Sequence, residues 1–129
     1  MVILEHEITL IGSKGRRQCI ALFDSGASYS IIRPDIADAI ATPAPLPDPE
    51  DWVFQTAIAG QTMQATQVVP LSFRFEDSEA RFTDEFILLD GSSEEVIIGA
   101  TTMQKWGIKL DFETEQINYR KTAEKLRLV

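Results

Sequence analysis

Leu71, Phe73 and Phe75 alternate with Ser72 and Arg74, a period of two that suits an extended strand with one buried face. Short segments of this kind, punctuated by turn residues, limit the fold more than any other feature of the chain. VILEHEITLI (2–11) and RQCIALF (17–23) are rich in β-branched and large apolar residues, and Gly12-Ser13-Lys14-Gly15 between them reads as a turn. They predict a β-hairpin that delivers the chain into Asp24. Ser30-Ile31-Ile32 predicts a further brief strand. Pro34 and Asp35 then open a short helix to about Ala41, because proline fits the first helical turn and an acid there suits the helix dipole.

Residues 42–50, TPAPLPDPE, carry four of the six prolines, an alternation that favours a stiff, extended surface connector over a packed element. Strand patterns return with WVFQTAI (52–58), a turn at Ala59-Gly60-Gln61, and TMQATQVV (62–69), whose mixed polarity predicts a hairpin exposed on at least one face. ARFTDEFILLD (80–90) and EVIIGA (95–100) predict two more strands. TTMQKWG (101–107) predicts a short helix ended by Gly107, and IKLDFE (108–113) a strand with Ile108, Leu110 and Phe112 on one face. Eight or nine strands with one or two short helices give an all-β sandwich or closed barrel. At 129 residues the chain suits one domain spanning 1–129.

Charge narrows the function. A formal net charge of −8 argues against nucleic-acid and anionic-membrane surfaces, where each phosphate contact needs Lys or Arg. No run of about 18 apolar residues occurs, and charge arrives by Glu5, so neither a membrane helix nor a signal peptide is expected, and the expected location is cytoplasmic. The chain could equally be a domain of a longer protein. Cys19 is the only cysteine, which excludes an internal disulfide and, with His6 as the only histidine, leaves too few ligands for zinc. His6 would be needed for a Ser-His-Asp site, yet no serine sits in a nucleophile-elbow pattern. Cys19 reads as core, and Trp52, Phe54 and Trp106 as packing residues, with Trp52 or Phe54 near enough to the second hairpin to touch a ligand.

LFDSGASYS (22–30) sets a carboxylate among very small residues directly behind an apolar strand. Asp, Ser and Gly ordinarily build surface turns. The extended pattern here, Ala21-Leu22-Phe23 followed by Asp24-Ser25-Gly26-Ala27 and then Ser30, resembles the active-site signature of the aspartic proteases, in their single-domain, retropepsin-like branch. Val96-Ile97-Ile98-Gly99 is similar to the apolar-apolar-Gly segment that passes beneath the Asp loop in that family, and the short helix after it also matches. The hairpin with its tip near Gly60 lies where such enzymes carry a flap.

The resemblance implies an acid-protease β-barrel and an aspartic endopeptidase with Asp24 as the catalytic residue. Ser25, Gly26, Ala27 and Ser30 would support the loop, Ile97, Ile98 and Gly99 would lie under it, and Ile58, Ala59, Gly60 and Gln61 would form the flap over substrate. No metal or cofactor is implied. Hydrolysis by this route needs water held between two carboxyl groups that share one proton, for which this family is a standard example. Only one such motif occurs, since Asp77-Ser78 lacks the glycine and Asp90-Gly91-Ser92 has the wrong order. A homodimer, with Asp24 from each subunit on a two-fold axis, would complete the pair and bind a peptide or protein substrate in an extended form. The resemblance also implies that its subunits interleave the terminal segments VIL and KLRLV, while YRKTAEKL is also a fair helical sequence. Ser25 in place of threonine removes a methyl and would loosen the grip between loops. The alternative of a different class keeps the fold and drops catalysis, leaving a dimerising, peptide-binding scaffold.

Overall fold

The structure, a computed structural model, describes residues 3–55 and 60–123. The first hairpin forms as its sequence dictates: β1 (Ile3–Ile11) and β2 (Arg16–Asp24) pair antiparallel through all nine positions, from Ile3 opposite Asp24 to Ile11 opposite Arg16. Their alternation turns Ile8, Leu10, Cys19, Ala21 and Phe23 inward. β3 (Ile31–Ile32), β7 (Gln67–Arg74), β8 (Phe82–Leu88) and β9 (Val96–Ile98) complete a ring in the order β1-β2-β9-β3-β8-β7. Pairing of Thr9–Ile11 with Ser72–Arg74 closes it into a six-stranded barrel, which removes the open edges of a sheet.

Phenylalanines fill the interior. Phe23, Phe73, Phe75, Phe82 and Phe86 are all essentially inaccessible, with Phe73 5.3 Å from Phe82 and 6.3 Å from Phe23 between ring centroids. Each such ring contributes about 1.5–3 kcal/mol by leaving water. Helix α1 (Pro34–Ile40), with proline at its start and Asp35 in its first turn, lays Ile36, Ala37 and Ile40 on this core. Helix α2 (Ala100–Trp106) buries Thr102 and Met103, then stops at Gly107, whose φ of 65° is left-handed and costs glycine little.

A second, smaller core of Leu46, Ala65 and Ile87, flanked by Trp52 and Phe54, underlies the hairpin of β5 (Val53–Gln55) and β6 (Thr62–Gln64). Two sequence expectations change here. The arm 62–69 is not one strand: Ala65 turns inward, its N–H bonded to the Trp52 carbonyl at 2.9 Å, and the chain leaves the hairpin for barrel strand β7. The proline-rich stretch is partly packed, because β4 (Ala44–Pro45) adds to the edge of β7 and Leu46 inserts into the small core. An edge strand tolerates proline's missing N–H, and alternating prolines hold the chain extended enough to pair.

Near the end of the described chain, β10 (Lys109–Asp111) and β11 (Gln116–Asn118) form a separate hairpin. Ile108 is buried, but Phe112 is 56% exposed, contrary to the expected common face, because β10 ends at Asp111 and the chain turns there. Residues 119–123 form neither helix nor strand. They are held instead by Tyr119, stacked on Phe75 with ring centroids 3.6 Å apart, and by bonds from Tyr119 and Lys121 to Asp77. Val2 and the segment KLRLV lie outside the described residues, so their expected interleaving does too. Among the described residues no helix is long and apolar enough to cross a membrane.

Candidate active site

The order of the barrel strands places the Asp24 loop. Strand β9 lies between β2, to which it is parallel (Ala21 opposite Val96, Phe23 opposite Ile98), and β3, to which it is antiparallel (Ile31 opposite Ile97). Residues 25–30, which join β2 to β3, must therefore cross over the C-terminal end of β9. That end is Gly99. A β-carbon there would stand 2.5 Å from the Tyr29 carbonyl carbon and oxygen and 2.9 Å from the Ala27 oxygen, distances that real side chains do not adopt. Only glycine lets the two backbones lie this close.

Hydrogen bonds fasten the crossing. The Ala100 N–H donates to the Ala27 carbonyl at 2.7 Å and the Thr101 N–H to the Ser28 carbonyl at 3.1 Å, so the first turn of α2 spends its unpaired donors on the loop. Ser30 is 2% exposed, and its Oγ accepts the Gly99 N–H at 3.0 Å. The Thr102 hydroxyl, also buried, donates its single proton to Asp84 Oδ2 at 2.7 Å, so Ser30 must be the donor across the 2.6 Å contact to Thr102 Oγ1. A directed chain thus runs from Gly99 through Ser30 and Thr102 to Asp84, with Lys105 Nζ 3.8 Å from the other Asp84 oxygen.

Within the loop, Asp24 Oδ1 accepts the Gly26 N–H at 2.8 Å, and the Asp24 carbonyl accepts the Ala27 N–H at 3.2 Å. Asp24 is partly exposed at the end of β2, while Ser25 and Gly26 are exposed outright. The carboxylate opens on a groove of about 940 Å³. Its floor is apolar, made by Leu22, Ile31 and Ile97 from β2, β3 and β9. One wall is the β5–β6 hairpin, through Phe54, Gln55 and Met63; the other is the segment from Leu89 to Glu94. This size and this mixture of apolar lining with a few polar groups match ordinary ligand sites.

The structure brings together Asp24, Gly26, Ala27 and Ile97 in the groove and sets Ser30, Ile98 and Gly99 beneath it. Gly60 and Gln61 sit at the exposed end of the hairpin, away from the groove lining, and Ile58 and Ala59 lie outside the described residues. Sequence reading missed Thr102 and Asp84. A signal for Asp84 exists: Phe82, Asp84 and Phe86 share one side of β8, so an acid falls at a register whose neighbours are core. Cys19 takes no part, being 5% exposed, and burial pushes its thiol up to about 12. Among the described residues no cluster of His, Cys, Asp or Glu suits a metal ion.

No protein-family model matches the sequence, and no curated protein matches it. Solved structures do match in fold. One is the retroviral protease-like domain of Ddi1 from Leishmania major, superimposing with a TM-score of 0.56 at 14% identity over 92% of this chain and 88% of that one. At that identity the likeness is one of fold: a retropepsin-like barrel.

Proposed function

We propose that this chain is an aspartic endopeptidase that works as a homodimer, each subunit giving one Asp24. The observation that carries the reading is Asp24 itself: a carboxylate at the mouth of a peptide-sized groove, on a loop whose course is fixed by the Gly99 crossing and the Ser30 bond. A retropepsin-like barrel is the architecture in which such a loop is expected to meet its symmetry mate.

The chemistry follows from pairing. Two carboxyl groups about 3 Å apart hold one proton between them. The ionised one takes a proton from the water between them as its oxygen attacks the peptide carbonyl carbon; the protonated one gives its proton to the carbonyl oxygen. The resulting tetrahedral diol collapses when one carboxyl group gives its proton to the amide nitrogen and the other, ionised one takes a proton from a diol hydroxyl; the C–N bond breaks to leave a carboxylic acid and an amine, and the pair again shares one proton. The Gly26 N–H on Oδ1 fixes the orientation of the Asp24 carboxylate. The groove walls, Phe54 and Met63 on one side and Leu89 to Glu94 on the other, would grip an extended peptide.

Cleavage of an unstructured protein between about pH 3 and 7, with and without a pepstatin-like inhibitor, tests this beside Asp24→Asn. The proposal expects cleavage by the wild type, inhibition, and loss in the variant. Cleavage that survives Asp24→Asn ends it. A wild type that dimerises and binds peptides without cutting them is the scaffold alternative.

A further inference from the structure

Next to the groove, and sharing Tyr29 as a common wall, lies a second cavity of about 360 Å³ bounded by Tyr29, Pro47, Asp48, Asp51 and Trp52. Two of its walls are aromatic: the rings of Tyr29 and Trp52 stand 5.1 Å apart at 62° to each other. Two carry carboxylates, and neither Asp48 nor Asp51 makes a side-chain hydrogen bond or ion pair among the described residues. Neither this cavity nor the groove has a lysine or arginine in its lining, whereas the groove adds Asp90 and Glu94 to Asp24.

The cavity is held open by its own backbone. Pro47 and Pro49 flank Asp48, which adopts a left-handed φ of 51°, and a single 3-10 turn, Pro49–Asp51, is closed by bonds from the Asp51 N–H to the Asp48 carbonyl and from the Trp52 N–H to the Pro49 carbonyl, both 3.0 Å. Prolines on both sides of Asp48 remove freedom that binding would otherwise have to remove. Aromatic faces beside unpaired carboxylates attract a cation, through the ring quadrupole and through charge.

We infer that the Tyr29–Trp52–Asp48–Asp51 cavity is a subsite for a Lys or Arg side chain of the bound peptide, so that this protein selects cationic peptides. The inference rests on the peptide-groove reading of the site above, but not on catalysis. Trp52 ties the subsite to the hairpin, since its carbonyl accepts the Ala65 N–H at the hairpin base. A cation seated on the indole therefore touches the residue that roots the wall of the groove.

The test uses the 129-residue chain carrying Asp24→Asn, which cannot consume its ligand under the proposed mechanism, and a neutral eight-residue peptide through which one Lys, one Arg or one Gln is walked. At one position Lys and Arg should bind about tenfold tighter than Gln, the sum expected of one cation–π contact and weak exposed charge pairs. Asp48→Asn/Asp51→Asn, and separately Trp52→Leu, should abolish that preference while circular dichroism stays unchanged; should Trp52→Leu fail to fold, the double Asn variant decides. Glu113→Gln/Glu115→Gln, in the β10–β11 turn and in the lining of neither cavity, should leave the preference intact. Equal binding of Lys and Gln at every position overturns the subsite, as does a preference that survives Asp48→Asn/Asp51→Asn or vanishes with Glu113→Gln/Glu115→Gln. A wild type that cuts nothing while the Lys preference holds would sink the protease reading and leave the subsite standing.

Discussion

Gly99→Ala is the sharpest probe of how the Asp24 loop is held. The added methyl would begin 2.5 Å from two Tyr29 backbone atoms, and ordinary contact starts near 3.4 Å, so the loop must lift by about 0.9 Å or β9 must sink into the phenylalanine core. Sinking is opposed by Ile98, which is fully buried. Lifting stretches the Ala100-to-Ala27 and Thr101-to-Ser28 bonds and the Gly99-to-Ser30 bond together. Overpacking of this kind costs about 1–3 kcal/mol, and at about 2 kcal/mol a chain of this size should lose about 8 °C in Tm. A catalytic group displaced by about 1 Å loses on the order of a hundredfold in rate, so peptide cleavage should fall further than stability does. Gly15→Ala is the matched control, since its β-carbon would meet nothing within 4 Å; there Tm should hold or rise slightly. Thermal melts and kcat/KM for the pair of variants decide the matter. Equal Tm values for Gly99→Ala and Gly15→Ala would refute the crossing as the device that fixes the loop.

Thr102→Val should cost about 1–3 kcal/mol by leaving the buried Ser30 hydroxyl without its acceptor, and the double variant with Ser30→Ala should cost less than the two singles together; denaturant titrations give the cycle. The Cys19 thiol, pushed up to about 12 chiefly by burial and then by Glu95, should ignore thiol reagents at pH 8 in the folded protein and react at once in denaturant. Asp77 is held below the usual carboxylate range first by Lys121 and then by Tyr119. Its folded value is the lower one, so its anchoring is present above the ordinary carboxylate value of about 3.9 and is lost as pH falls through the depressed value. Hydrogen exchange of the Glu79 amide, which donates to the Lys121 carbonyl, should quicken in that acid window, relative to its intrinsic rate, and Asp77→Asn should show the same quickening at neutral pH.

Alternation made the barrel legible. Leu71 and Phe73 could be assigned to a half-buried strand, and VILEHEITLI with RQCIALF to a hairpin, because a two-residue period has one structural meaning wherever a turn bounds it. Asp24, Ser30 and Gly99 were legible for a different reason, their spacing in a recognisable pattern. What stayed hidden depends on neighbours distant in sequence. Ala65 leaves its strand because Trp52, Leu46 and Ile87 make a small core for it, and nothing in TMQATQVV records that. Pro45 pairs because β4 happens to lie at a sheet edge. Thr102 matters only through Ser30 and Asp84, residues 72 and 18 positions away, and the acid-aromatic cavity needs Tyr29 to meet Trp52 beside the groove.

The central claim is that one site needs an Asp24 from each of two subunits, and mixing tests it most directly. Wild type and Asp24→Asn are unfolded together, refolded at fixed total concentration and assayed for peptide cleavage as the wild-type fraction is varied. If sites form on a two-fold axis, activity follows the square of that fraction, about one quarter at equal mixing. A linear fall to about one half would mean that each chain works alone, and activity independent of the mixture would mean that Asp24 does no chemistry.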